Sequence, residues 1–167
     1  MKNLGARTGF LITLGLVSLC LAPCQAQTQG SGTKSTTASA IFPNGEKGSA
    51  QTFTGTVWVQ NLVATDSIYQ LASGSVTFEP GARSFWHSHP SGQILLVTDG
   101  VGYHQLKGEP RQTIRKGDVV KCPPKIPHWH GASADSPMTH IHIVPNTEKG
   151  IVNWLQAVTD AEYHGAR

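Results

Sequence analysis

Histidine and amide side chains in the second half of the chain have the types and spacing of metal ligands. His87 and His89 lie two residues apart, Gln93 follows, and His128 comes much later. Because residues i and i+2 of a β-strand share one face, His87 and His89 can direct two imidazoles to one point. Neutral imidazole is the commonest metal-binding side chain. These four residues predict a metal site built on strands, with a neutral amide where such sites usually carry a carboxylate.

The neutral donor set has a chemical consequence. Three imidazoles and the Gln93 amide leave a divalent ion its full charge, so it polarises a bound oxygen or attracts an anion more strongly than a carboxylate-bound ion does. Four protein donors leave one or two positions for water or substrate if the ion prefers octahedral coordination. Nitrogen and oxygen donors without thiolate suit manganese, iron(II), nickel or zinc, and the spacing does not choose among them.

Three further histidines are predicted to lie near this site. His130 follows His128 by two residues and so shares its face, while His140 and His142 share one face of a later strand. Histidine transfers protons near neutral pH. We expect catalytic roles for His130 and His140. For His142 we expect burial, or a role in orienting a neighbouring side chain.

Short β-type segments separated by Gly and Pro make up the chain from Phe53 onward. They predict a single antiparallel sandwich or barrel. The glycines at 81 and 100 are expected to bracket one hairpin, and Gly117 and Pro123 to turn a second hairpin that carries His128. Only residues 152–158 have a helical pattern, which predicts a short C-terminal helix. The predicted strands span residues 53–59, 75–78, 84–89, 93–97, 101–106, 113–115, 119–122, 128–131 and 138–144.

The N-terminus has the residue order of an export signal. Two basic residues precede an apolar run over residues 10–21 and small residues over 22–26, which predicts a signal peptide at 1–26. The run is shorter than the roughly 20 residues of a membrane span. A retained anchor and a lipid-modified Cys24 are the alternatives. We expect a periplasmic or secreted protein that has no membrane association after cleavage.

Residues 27–51 are rich in Gly, Ser and Thr, which predicts a flexible segment before a folded domain at 52–167. Signal cleavage would leave Cys122 as the single cysteine, so the domain is expected to be stable without an internal disulfide. The net charge is +3 and the basic residues form no run. This pattern gives no indication of a nucleic-acid partner.

The predicted ligands stand within two larger motifs. The first consists of Gly81, His87, His89, Gln93 and Gly100, and the second of Gly117, Pro123 and His128. In spacing, ligand type and turn residues these motifs resemble those of the cupin superfamily, from about residue 53 to the C-terminus. The resemblance implies an all-β cupin fold, that is, a double-stranded β-helix or jelly-roll barrel. Storage-type cupins keep the barrel without the metal, but all three histidines are present here, which favours a metal-bound protein.

Longer stretches resemble one small group, the bacterial single-domain cupins that include the manganese-dependent hydroxynitrile lyases. They lie at residues 53–57, 76–83, 86–90, 117–120, 128–132, 138–140, 152–154 and 158–160. The resemblance implies that a metal, most readily Mn²⁺, binds at His87, His89, Gln93 and His128. It also implies that His130 and His140 are catalytic and that the chain forms a homodimer or homotetramer. His142 has no counterpart role in the group.

The leading functional hypothesis is a carbon–carbon lyase that cleaves or forms cyanohydrins such as mandelonitrile, small molecules whose hydroxyl would bind the metal. His140 or His130 would be the general base. Strand alternation suggests an apolar lining of Val57, Val59, Phe78 and Leu95. Two alternatives remain open. One is a cupin dioxygenase of the flavonol-cleaving (quercetinase-like) or thiol-oxidising kind, and the other is a non-catalytic periplasmic metal-binding cupin.

Overall fold

A computed structural model describes residues 41–165, which all fall within one compact unit. It contains twelve strands, a 3-10 turn at Thr147–Lys149 and one helix, α1 (Asp160–Tyr163). The strands are β1 (Glu46–Lys47), β2 (Phe53–Thr54), β3 (Val57–Val63), β4 (Leu71–Phe78), β5 (Arg83–Ser84), β6 (His87–Ser88), β7 (Gln93–Leu106), β8 (Gln112–Arg115), β9 (Val119–Cys122), β10 (His128–Ala132), β11 (Met138–Pro145) and β12 (Asn153–Trp154).

The N-terminal predictions are only partly within this range. The signal peptide predicted for 1–26 lies outside the described residues, as does the first part of the segment 27–51. The later part of that segment contributes β1, whose residues pair with Val59 and Trp58 of β3. Within residues 41–165 no helix has the length and apolar character needed to cross a membrane.

The strands form one curled antiparallel sheet in the order β1-β3-β4-β11-β7-β10-β5-β2, which confirms the predicted all-β, barrel-type fold with a short C-terminal helix. β7 belongs to both halves of the sheet. Its first half pairs with β11 and its second half with β10. Apolar side chains fill the space between the two halves: Val57, Val76, Phe78, Ala82, Val97, Ile114, Ala132 and Met138.

The two hairpins predicted around the ligand residues are wrong. β7 runs through the expected turn at 99–100 as one strand of 14 residues, with Gly100 inside it at a φ of 75°. β9 pairs with β7, and β10 pairs with β5, β6 and β7, so the second predicted hairpin does not form. A glycine signals a bend equally well in a turn and within a long strand that passes from one half of a barrel to the other. The local sequence does not distinguish the two.

Gly100→Ala is expected to lower the free energy of unfolding by about 2 kcal/mol or more. A Cβ there would lie 1.9 Å from the Pro137 carbonyl oxygen, in addition to the cost of a positive φ. Gly108→Ala is the matched control, because its φ is 89° and nothing lies within 4 Å of its added Cβ. Gly108→Ala should lower the free energy of unfolding by only about 1 kcal/mol. Equal losses in urea unfolding of the two variants would contradict the packing argument.

The C-terminal helix is shifted from its predicted position at 152–158. Residues Asn153–Trp154 form β12, which pairs with β6. The helix begins at Asp160 because Thr159 and Glu162 form a reciprocal capping box, the start signal that 152–158 lacks. The Tyr163 hydroxyl donates to the Ala132 carbonyl and fixes α1 against β10. The strand at 153–154 therefore lies beside the predicted ligands.

Candidate metal centre

The short strand β6 brings His87 next to two other parts of the predicted site. His87 is directly opposite His128 in the β6–β10 pair and opposite Trp154 in the β6–β12 pair. His89 follows the end of β6, yet its ring centroid is 5.2 Å from that of His87 and 5.5 Å from that of His128. All three rings are buried. The three histidines thus lie together, although the strand predicted to hold His87 and His89 ends between them.

Each of these three imidazoles is oriented by a backbone carbonyl. The Nδ1 atoms of His87, His128 and His89 bond to the carbonyl oxygens of Phe85, Ile126 and Ile151, at 2.9, 3.0 and 2.6 Å respectively. Because a carbonyl only accepts, Nδ1 carries the proton and the lone pair lies on Nε2. Nε2 of His89 is buried without a hydrogen-bond partner. This is the tautomer that a metal-binding histidine requires.

Gln93 completes the group from the first position of β7. Its Oε1 is 3.2 Å from Nε2 of His128. Oε1 and this Nε2 both have lone pairs and no proton. The two atoms therefore repel each other unless a cation lies beside both. Two ligands at a right angle, each about 2.1 Å from an ion, are about 3 Å apart. The Gln93 oxygen and the His128 nitrogen are therefore spaced as two neighbouring ligands of one divalent cation would be.

His130 is close enough to be considered with the ligands. Potential ligand atoms of His87, His128 and His130 all lie within 4.8 Å of one another. His130 differs in its hydrogen bonding, because its Nδ1 lies 3.2 Å from Nε2 of His140 and contacts no carbonyl. Its Nε2 is buried without a partner. Its ring is thus bonded to another titratable ring, which suits proton transfer.

His140 reaches the site from β11. The register of β11 against β7 shifts between Thr139 and His140, an irregularity of the kind that re-aims side chains beside active sites. The His140 ring is fully buried and its Nδ1 has no hydrogen-bond partner. The Phe78 ring packs 5.7 Å from both His130 and His140. The two predicted catalytic histidines therefore form one hydrogen-bonded pair in an apolar enclosure.

Burial keeps the site histidines neutral. It lowers the pKa of His128 and His140 to about 3 and that of His104 and His142 to about 4. The pKa of His87, His89 and His130 is lowered in the same direction, again chiefly because burial disfavours the charged ring. Near neutral pH all of these rings are therefore uncharged.

The metal-free protein is expected to lose stability in acid. Histidines of the unfolded chain have a pKa of about 6.5, so below that pH the unfolded state binds more protons than the folded state. The free energy of unfolding has its full value above about pH 6.5. It falls as the pH is lowered from there through pH 4, the folded-state pKa of His104 and His142. Thermal unfolding of metal-free protein should show a falling Tm over this range. A Tm that does not change between neutral pH and pH 5 would contradict it.

A cavity of about 250 Å³ opens onto the site, and its wall is mostly apolar. Of the four lining residues predicted from alternation, Val59 lines it, whereas Val57, Phe78 and Leu95 are fully buried outside its wall. Sequence reasoning missed the contribution of Ile151, and it missed Val152 and Trp154 because residues 152–158 were expected to be helical. The wall consists of Phe53, Val59, Asn61, Val76, His87, His89, Gln93, His130, His140, His142, Val144, Ile151, Val152 and Trp154.

A buried Cys122–His104 contact behind the site was also missed. Sγ of Cys122 is 3.4 Å from Nε2 of His104, whose ring centroid is 5.9 Å from that of His128. Burial raises the pKa of the Cys122 thiol to about 12, so it remains protonated. The contact packs behind His128 and takes no part in the cavity.

Comparisons with known proteins show that this chain is similar to cupins. The Cupin domain family model matches residues 74–144. A protein of Granulicella tundricola named (R)-mandelonitrile lyase is 45% identical over 117 residues, which cover 70% of this chain and 89% of that protein. A cupin-like protein of Thermotoga maritima has a solved structure with 48% identity and a TM-score of 0.73, covering 75% of this chain and 95% of that one. A cupin-2 domain of Rhodospirillum rubrum is similar in fold alone, at 19% identity and a TM-score of 0.53, covering 71% and 75%.

Proposed function

The chain belongs to the cupin family, and from that we propose that it is a metal-dependent carbon–carbon lyase that cleaves or forms cyanohydrins. One observation carries the proposal. The carbonyl-oriented His87 and His89 line a mostly apolar cavity together with Gln93 and the hydrogen-bonded pair of His130 and His140, and the third carbonyl-oriented imidazole, His128, lies against Gln93. The similarity to a protein named (R)-mandelonitrile lyase supports the same reaction class.

We assign the metal ligands as His87, His89, Gln93 and His128, and the metal as manganese(II). The donor set has nitrogen and oxygen atoms and no thiolate, which suits manganese as well as iron(II), nickel or zinc. The choice of manganese rests on the family resemblance of the sequence. Bound there, the cation would lower the pKa of a substrate hydroxyl and stabilise negative charge on its oxygen. Neutral donors leave that charge undiminished.

The pair of His130 and His140 is assigned the proton transfer. Each ring has one buried nitrogen without a partner, Nε2 of His130 and Nδ1 of His140, while the other nitrogens face each other at 3.2 Å. The hydrogen bond between the rings uses one N–H and one lone pair, so one outer nitrogen carries a proton and the other a lone pair. A proton accepted at that outer lone pair can be followed by transfer across the bond, so the positive charge spreads over two rings. Burial lowers the pKa of both, so both rings are neutral before the substrate binds.

The reaction balances with these groups. The hydroxyl proton passes to the histidine pair, the bond to the nitrile carbon breaks with its electrons on cyanide, and the hydroxyl carbon becomes a carbonyl. The proton then returns from the pair to cyanide. Val59, Val144 and Ile151 would contact the apolar part of the substrate and exclude water. The half-exposed Trp154, 4.8 Å from the His87 ring, is placed to pack against an aryl group.

The test is cyanide release from racemic mandelonitrile by manganese-loaded protein without oxygen, compared with the metal-free protein. We expect release only from the loaded protein, at a rate that oxygen does not change. No release, or equal release without metal, would contradict the lyase assignment. Turnover that consumes oxygen would indicate a dioxygenase, and tight metal retention without turnover a binding protein.

A further inference from the structure

His142 is a cavity histidine to which the proposed mechanism gives no role. It lies two residues after His140 on β11, and both side chains line the cavity. Its Nδ1 is buried without a hydrogen-bond partner. Apart from the ligands and the catalytic pair, the cavity wall has one other polar side chain, Asn61, which is exposed. The half-buried His142, whose Nδ1 has no partner, is therefore the hydrogen-bonding group available to a ligand.

Gly74 shows that the fold makes room for this ring. It lies directly opposite His142 in the β4–β11 pair. A Cβ at position 74 would be 2.6 Å from Nε2 of His142 and 3.0 Å from the Gln60 carbonyl oxygen. The backbone of Gly74 does not have a positive φ, so conformation does not require glycine there. The absence of a side chain is explained by the imidazole that packs against it.

We propose that His142 donates a hydrogen bond to the nitrile nitrogen of the cyanohydrin and so holds the group that leaves as cyanide. The inference rests on the lyase function proposed above. The Cα atoms of residues i and i+2 of a strand are about 6.5 Å apart. That spacing accommodates a substrate whose hydroxyl faces the pair of His130 and His140 and whose nitrile faces His142.

The chemistry of a neutral imidazole suits this role. Burial lowers the pKa of His142 to about 4, so near neutral pH it has one N–H to donate and no charge. When the carbon–carbon bond breaks, the electron pair goes to cyanide and negative charge builds up on it. A fixed donor aimed at that group binds the transition state more tightly than the ground state. The hydroxyl proton still passes to the catalytic pair, so His142 neither gains nor loses a proton.

Substitutions of His142 separate hydrogen bonding from packing. His142→Ala and His142→Phe are expected to lower kcat for mandelonitrile cleavage by about 10- to 100-fold with an unchanged metal content. His142→Gln keeps an N–H donor and should recover part of that loss. His164→Ala is the matched control, because it removes an exposed histidine distant in sequence from the strand. A His142→Ala variant within twofold of the parent would overturn the inference.

Gly74→Ala tests the same side chain without changing it. Its Cβ should displace the imidazole, so kcat is expected to fall in the parent background. In the His142→Ala background the added methyl should lower kcat much less, a coupling that a double-mutant cycle measures. Losses that simply add would show that Gly74 acts independently of His142, against the inference.

A binding measurement keeps this inference distinct from the lyase assignment. Zinc-loaded protein with ¹⁵N-labelled histidine is titrated with phenylacetonitrile, which has no hydroxyl and cannot be cleaved. We expect the His142 nitrogen resonances to move on binding, and the Kd to rise about 10-fold in His142→Ala. Unmoved resonances with an unchanged Kd would overturn the inference. If the resonances move but the parent releases no cyanide, nitrile binding at His142 is supported and the proposed lyase function is contradicted.

Discussion

Replacing His140 with alanine is expected to lower kcat for cyanide release by at least about 100-fold, the usual contribution of a general acid–base group. The ring is fully buried, and its Nε2 lies 3.2 Å from Nδ1 of His130. Its removal breaks the pair and leaves His130 without the partner that shares its proton. Because the ring lies outside the four proposed ligands, the variant should retain its full metal content. The measurement is steady-state release of cyanide from mandelonitrile by protein of determined manganese content.

Two controls make the His140→Ala result interpretable. His164→Ala removes an exposed histidine and should keep the parent rate. Thermal unfolding of His140→Ala shows whether the fold persists despite the space left by the ring. A folded, manganese-loaded His140→Ala protein whose kcat is within about fivefold of the parent would contradict the assigned proton transfer.

Replacing His89 with alanine is expected to abolish stoichiometric metal binding and to lower activity by about 1000-fold or more, because the metal supplies most of the charge stabilisation. His89 has its Nδ1 fixed by the Ile151 carbonyl and its Nε2 buried without a partner. Potential ligand atoms of His130 lie within 4.8 Å of those of His87 and His128, a group that does not include His89, but Nδ1 of His130 contacts His140. His130→Ala should therefore keep the metal while losing activity.

Elemental analysis of the two variants side by side distinguishes the ligand sets. Loss of metal from His89→Ala with retention by His130→Ala supports the set His87, His89, Gln93 and His128. The reverse pattern would show that His130 is the third imidazole ligand. The Ile151 carbonyl would then orient His89 for some other purpose.

The candidate site could be predicted because its chemistry depends on residue type and spacing. The His87–His89 pair, Gln93 and His128 were identified without knowing which strands pair, and the structure brings them together. His130 and His140 were placed near them by alternation along two strands, and they are hydrogen-bonded to each other. Side-chain chemistry of this kind is visible in one sequence.

What could not be predicted depends on contacts between distant segments. The Ile151 carbonyl orients His89, but every residue type has a carbonyl, so no pattern marks it. Residues 153–154 were expected to be helical, and their strand forms because β6 offers an unpaired edge. The match between Gly74 and His142 follows from the register of β4 against β11. Local sequence contains none of this information.

Titration calorimetry of the metal-free protein with manganese(II), in buffers of different ionisation enthalpy, tests the central claim most directly. All four proposed donors are neutral before the ion arrives, because burial lowers the pKa of the three histidines and Gln93 does not ionise. We therefore predict one ion per chain, bound near neutral pH with almost no release of protons from the donors. Absence of saturable binding, or release of about one proton per ion, would contradict a site of three neutral imidazoles and one amide.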